Sequence, residues 1–149
     1  MTFKQKVFQH YQQKANDKVV SLQTALQDLI ESTKNETKSS AGDKYETSRA
    51  MLQIEQDNVR KQLKDALGLK AMFDQINPAV TSEKITLGSL IKTDKGYFFI
   101  SVALGKSSID GVTVIALSPQ SPLGRTFLGL KVNQRATVNA TTYSIDSIE

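Results

Sequence analysis

The 149-residue chain is 39% hydrophobic and only 7% aromatic, enough for one compact domain with an extended element or for two very small domains, and too little for a large enzyme core. It has no cysteine and a single histidine, His10, which excludes disulfides, thiolate zinc sites, cysteine nucleophiles and a histidine metal site; chemistry must rest on carboxylates, hydroxyls, Lys or Arg. The formal charge of +4 is spread evenly, with 12 basic against 10 acidic residues up to Asn77 and 7 against 5 beyond it, a balance that suits a phosphate-bearing partner without the density of a dedicated duplex-binding domain.

The opening stretch, "MTFKQKVFQHYQQK", is too polar for the apolar core of a signal peptide, and no later run is long enough to span a bilayer. A soluble, cytoplasmic protein is expected. Over residues 3–33, apolar side chains recur at Phe8, Tyr11, Ala15, Val19, Leu22, Leu26 and Leu29, a spacing of three or four that makes one helical stripe. The same spacing returns over 46–76 at Leu52, Val59, Leu63, Ala66, Phe73 and Ile76, broken by a polar site near 56. No proline interrupts either run, and each would be about 45 Å long at 1.5 Å per residue. Stripes this narrow are unstable alone and suited to packing against one another, so an antiparallel coiled-coil hairpin is expected over 1–77. Its bend should fall between Thr33 and Gly42, where Ser, Thr, Asn, Lys and Gly cluster.

Two acids follow that bend, Asp43 and Glu46, three residues apart in "KSSAGDKYETSRAML". Helix geometry alone explains them as residues of a helix start: Ser39, Ser40 or Asp43 can cap, and an acid in the first turn is favoured by the dipole.

After Asn77-Pro78 the period changes. "ITLGSLIKT", "GYFFISVAL", "GVTVIALS", "RATVNATT" and "YSIDSI" are short β-rich runs, separated by "DKG", "GKSSIDG" and "KVNQ", which read as turns. The helical candidate here is "SPLGRTFLG", with Ser121 as N-cap, Pro122 in the favoured first position and Gly129 as the stop. The expected fold is therefore α+β: a helical hairpin over 1–77, then a small antiparallel sheet of five strands with one short helix over 78–149, with Pro78 at the boundary.

Several of these residues resemble a known family. "SPLGRTFLGLK", Ser121 to Lys131, is similar to the "SP-[IL]-[AG]-R-x-[LF]-[IL]-G-K" signature in the C-terminal domain of the Gre transcript-cleavage factors of bacterial RNA polymerase. The closing "YSIDSIE" resembles the strand that ends that domain, and "GDKYE", Gly42 to Glu46, matches "G-D-x-x-E" at the tip of the family's coiled coil. The order of hairpin, tip and FK506-binding-protein-like domain is also the family's, so the resemblance spans nearly the whole chain. The tip departs from the pattern after Glu46: where the family continues "E-N-A-x-Y", this chain has Thr47, Ser48, Arg49 and Ala50, as in a divergent paralogue.

The resemblance implies a transcription elongation factor that is not itself an enzyme. Its coiled-coil tip, near residues 39–46, would enter the secondary channel of a backtracked polymerase and help the polymerase's own active site cleave the extruded RNA. Asp43 and Glu46 would be the acids acting there, sharing a Mg²⁺ with the polymerase, with Asp43 as metal ligand and Glu46 as positioner of water or metal. Two carboxylates make a poor Mg²⁺ site alone, so no tight metal binding by the free protein is expected. Lys34, Lys38, Lys44 and Arg49 would contact RNA phosphates or the channel wall, or else form a solvated helix end. Ser121, Pro122 and Arg125 would dock on the polymerase, although Arg125 equally suits an internal ion pair. The implied partners are bacterial RNA polymerase and, through it, the RNA 3′ end; no membrane is involved, and a monomer is expected.

Other readings remain open from the sequence. One is a secondary-channel regulator of the same fold that modulates polymerase without cleavage. Another is a peptidyl-prolyl isomerase or chaperone module, for which a Trp floor is missing and for which Tyr97, Phe98, Phe99 and Phe127 are more simply core or strand residues. The third is a coiled-coil interaction protein with no polymerase partner.

Overall fold

The computed structural model describes residues 1–39 and 43–149, with side chains described except at 36–39 and 43–45. Two long helices come first, α1 (Phe3–Ser39) and α2 (Asp43–Asp74). Thr2 starts α1 with a capping box: its Oγ1 accepts from the Gln5 amide at 3.1 Å while its own amide donates to Gln5 Oε1 at 2.9 Å. α2 gives way to a turn at Asn77, whose Oδ1 accepts from the Ala79 amide at 3.0 Å, and Pro78 follows. Phe8 stacks on Phe73 and Gln56 reaches Thr33, an antiparallel pairing of the two helices.

Part of the stretch in which the bend is expected, Thr33 to Gly42, is helical, and residues 40–42 of it lie outside the described residues. Residues 33–39 continue α1. Thr33 bonds back to the Leu29 carbonyl at 2.9 Å, and no Gly or Pro occurs before Gly42, so polar residues alone did not stop the helix.

By contacts the chain forms two compact units, Met1–Lys14 with Ala71–Glu149, and Ala15–Lys70. In the second, Ala15, Val19 and Ala66 are buried, while Leu22, Leu26, Leu29, Leu52, Val59 and Leu63 are half-buried, as one stripe against another allows.

In the first unit a six-stranded sheet runs β3-β4-β2-β1-β6-β5, built from β1 (Leu90–Thr93), β2 (Gly96–Ile100), β3 (Gly105–Ile109), β4 (Val112–Leu117), β5 (Arg135–Val138) and β6 (Thr141–Ile148). It is mixed rather than antiparallel: β2 and β4 pair in parallel, Tyr97 opposite Val114 through Ile100 opposite Leu117. The sixth strand is β3, drawn from the "GKSSIDG" segment that reads as a turn. β3 is an edge strand with Gly105, Lys106 and Ser108 exposed, so it carries no hydrophobic alternation to reveal it; the turn proper is Asp110-Gly111, with φ of 51° and 77°. The segment "RATVNATT" likewise folds back at Asn139 and Ala140, with φ of 51° and 66°, to join β5 to β6.

Successive strand residues face opposite sides, and the pair Phe98-Phe99 serves both. Phe99 meets Tyr11 of α1 and Phe73 of α2, ring centroids 6.2 and 6.1 Å away. Phe98 meets Tyr143 at 5.5 Å and, at 5.3 Å, Phe127 of the short helix α3 (Pro122–Phe127), within a core that includes Ile85, Ile91, Ile100, Ala136 and Ile145. Tyr11 is wholly buried; its hydroxyl lies 2.8 Å from the Gly105 carbonyl and 2.9 Å from that of Val114, sharing its one proton between them. No described helix is long and apolar enough to cross a membrane.

Candidate functional site

With α1 reaching Ser39 and α2 starting at Asp43, the two acids of "GDKYE" are the first and fourth residues of α2. Three apart on a helix, they share a face at its N-terminus, where the dipole favours negative charge. Glu46 is exposed, as are Lys34 and Arg49. The side chains of Asp43, Lys38 and Lys44 lie outside the described residues. Among the described residues there is no group of three or more His, Asp or Glu side chains that could hold a metal ion.

Below this tip lies a polar layer. Gln56 is 5% exposed, and its Nε2 donates to Thr33 Oγ1 at 2.7 Å and toward the Leu29 carbonyl at 3.4 Å. Gln56 is the polar break in the second stripe, and the sequence marks it only as an interruption. Its partner Thr33 was indistinguishable from the expected bend. Ten residues separate Gln56 from Glu46, about 15 Å along the helix. A buried amide that is satisfied in one pairing only penalises a slip of either helix, so this layer fixes the register on which the tip acids stand.

The other candidate, "SPLGRTFLG", folds as the sequence suggests. Ser121 caps α3: its Oγ accepts from the Gly124 amide at 3.0 Å and donates to the Ser118 carbonyl at 2.7 Å. Pro122 takes the first helical position, and Gly129, with φ of 83°, follows the C-cap residue Leu128. Gly124 is required by close approach, since a Cβ there would lie 2.0 Å from the Ser118 carbonyl oxygen. The Ser121 hydroxyl is thus engaged in holding the helix start, whereas Pro122 and Arg125 are exposed. Arg125 takes part in none of the ion pairs formed among the described residues, which include Lys6–Asp110, Arg60–Asp57 and Lys95–Asp94. The internal ion pair that the sequence allowed for it is not formed there.

No family model matches the sequence, and no curated protein matches it. Two solved structures resemble the chain. One is of the transcription factor Gfh1, with a TM-score of 0.36 and 14% identity over 92% of each chain. The other is of GreA factor homolog 1 (Gfh1) of Thermus thermophilus, with a TM-score of 0.35 and 13% identity over 95% of this chain and 92% of that one. A likeness this distant decides neither family nor function.

Proposed function

We propose that this chain is a Gre-type transcription elongation factor, which binds bacterial RNA polymerase, enters its secondary channel with the hairpin tip and stimulates cleavage of backtracked RNA by the polymerase active site. The observation that supports it is positional: the acids of the tip pattern are the first and fourth residues of α2, at the start of the second of two long helices. A pentapeptide match in a random chain would rarely fall there.

In this mechanism the chain completes another enzyme's site. Asp43 and Glu46 present two carboxylates at one helix start, and the layer at Gln56 and Thr33 holds that start in register. The donor set fits a shared ion rather than a resident one, since Mg²⁺ prefers six oxygens and a pair of carboxylates falls short of that. Bound there with polymerase and RNA supplying its other ligands, the ion would activate the attacking water and stabilise the leaving oxygen. Lys38, Lys44 and Arg49 would meet RNA phosphates, while Pro122 and Arg125 dock on the polymerase, with Ser121 holding their helix in shape. Such a partner places the protein in the cytoplasm.

The second reading is a channel-occupying regulator without cleavage. The sequence Thr47-Ser48-Arg49-Ala50 favours it, because these residues replace the polar and aromatic side chains that follow the acids in the family. A folding-helper reading is disfavoured: Phe98, Phe99 and Phe127 are buried in the core and cannot line an open peptide pocket.

The test is RNA cleavage in stalled, backtracked polymerase complexes, with Asp43→Asn/Glu46→Gln as the comparison. Both side chains keep their size, so the hairpin should lose at most about 1 kcal/mol through weakened capping and dipole interactions. Cleavage should fall by orders of magnitude while polymerase binding, read by pull-down, stays near normal. Wild type that binds but never stimulates cleavage would support the regulator, and wild type that fails to bind polymerase would remove both readings.

A further inference from the structure

Lys4, in the first turn of α1, is only 4% exposed. Its ammonium donates to the Val80 carbonyl at 2.8 Å and to no other group among the described residues, which leaves two of its three donors unused. It forms no salt bridge there. Burial pulls its pKa below the ordinary lysine range, and the charge of Glu149 partly offsets that pull. A desolvated cation that no salt bridge neutralises and that Glu149 offsets only in part is costly to keep, and an anion supplied from solution relieves the cost.

The cavity that Lys4 lines has the chemistry to receive one. It has a volume of about 210 Å³ and lies between the end of α2 and the segment leading into β1, and Lys4 is the one charged residue in its lining. Glu149 lines a neighbouring cavity on Lys4 and is not part of this one. The remaining polar lining is rich in donors, and several acceptor positions are already used. Ser89 Oγ accepts from the Thr86 amide at 3.0 Å, Ser82 Oγ accepts from the Lys84 amide at 3.3 Å, and Asn77 Oδ1 accepts from the Ala79 amide at 3.0 Å. Their hydroxyl protons and the Asn77 amide group are left to donate, together with the hydroxyl of Thr86. Gly88 keeps the wall thin: its φ is +92°, and a Cβ there would come within 3.0 Å of Ile76 Cγ2.

We propose that this cavity is a binding site for a phosphate group, with Lys4 as the charged contact and Ser82, Thr86 and Ser89 as hydroxyl donors. Charge-assisted bonds from a buried ammonium and a ring of neutral donors suit a compact oxyanion, and no carboxylate in the lining opposes it. The inference is independent of any role at the polymerase, because no residue of the hairpin tip or of α3 takes part.

The test is a titration of the full chain with sodium phosphate against sodium chloride at matched ionic strength, followed by amide NMR. Saturable shifts are expected at Ser82, Thr86, Gly88 and Ser89, with a dissociation constant on the order of millimolar or tighter. Lys4→Met should weaken binding roughly tenfold or more, and Thr86→Val severalfold, as loss of a charged and of a neutral donor respectively implies. A parallel titration with adenosine 5′-monophosphate separates the sources: tighter binding than inorganic phosphate assigns the site to a phosphate monoester, and equal or weaker binding assigns it to the free ion. Absence of saturable shifts in the wild type, or equal affinity in Lys4→Met, overturns the proposal. If Lys4→Met does not fold, unchanged affinity in Thr86→Val overturns it instead.

Discussion

Replacing Tyr11 by Phe removes one oxygen from the centre of the sheet-bearing unit and little else. The ring keeps its contact with Phe99, so neither packing nor shape changes, and the wholly buried hydroxyl is lost from between the Gly105 and Val114 carbonyls. Carbonyls left in a dry site without that donor cost about 1–3 kcal/mol. For a unit of this size each kcal/mol lowers the melting temperature by about 4–8 °C, so a fall of roughly 4–24 °C is expected by circular dichroism, with urea unfolding to give the free energy. The pH dependence supplies a second check. Burial raises the Tyr11 pKa above its ordinary value of 10.0. In the unfolded chain the phenol ionises near pH 10, so its contribution to stability is complete below that pH and is lost as pH rises through the folded pKa. The gap between wild type and Tyr11→Phe should therefore be constant from neutral pH to about pH 9 and narrow above pH 10. A variant within about 0.3 kcal/mol of wild type, or a gap that widens in alkali, would refute the assigned role of this hydroxyl.

Other substitutions test the remaining elements. Ser121→Ala should cost about 1 kcal/mol through the lost cap, and Gly124→Ala should cost more in the same urea assay, since the new methyl meets backbone at 2.0 Å. Gln56→Ala should cost about 1–3 kcal/mol and speed hydrogen exchange across the Leu29–Thr33 stretch of α1, because the buried bond to Thr33 is removed. Lys4, with its pKa lowered by burial and partly restored by Glu149, contributes stability that is present above the unfolded lysine pKa and is lost as pH falls through the folded one. Any advantage of Lys4→Met over wild type at neutral pH should therefore shrink as the pH approaches about 10.4.

How far the sequence could be read follows from how local each signal is. The helices show because a stripe every three or four residues is written along one segment, and the α3 cap shows because Ser121, Pro122 and Gly129 act within a few residues of each other. Gln56 shows only as a gap in a stripe. What fills the gap is Thr33 on the other helix, and pairing between helices depends on register rather than spacing. β3 is hidden because an edge strand with exposed Gly105, Lys106 and Ser108 has no buried face to impose alternation. The parallel pairing of β2 with β4 is hidden because strand order is a property of the assembled sheet. At the tip, the sequence places Asp43, Glu46, Lys38, Lys44 and Arg49 in one stretch, and the structure adds the helix start on which the two acids stand; the side chains of Asp43, Lys38 and Lys44 lie outside the described residues. Lys4 gave no signal, since a lysine in a first turn is ordinarily solvated.

The change of period at Pro78 suggests cutting there, and the packing argues that such a cut would fail. Phe99, fully buried in the intact chain, is covered by Tyr11 and Phe73, and Phe73 in turn stacks on Phe8. A fragment of residues 78–149 lacks all three rings. At about 1.5–3 kcal/mol for each large apolar side chain buried, losing them removes on the order of 5–9 kcal/mol. That is comparable to the whole stability of a typical domain, about 5–15 kcal/mol. The fragment should therefore melt far below the full chain, or not cooperatively, and should bind a hydrophobic dye. A second protein, carrying residues 1–14 and 71–149 joined by a short flexible loop, restores the rings and omits only the remainder of the hairpin. It should recover a cooperative transition, and it is the proper fragment for asking whether this unit alone holds the polymerase. If residues 78–149 melt as cooperatively and as high as the joined protein, the aromatic cover over Phe99 contributes little, and the start of α1 and the end of α2 are not needed by the sheet.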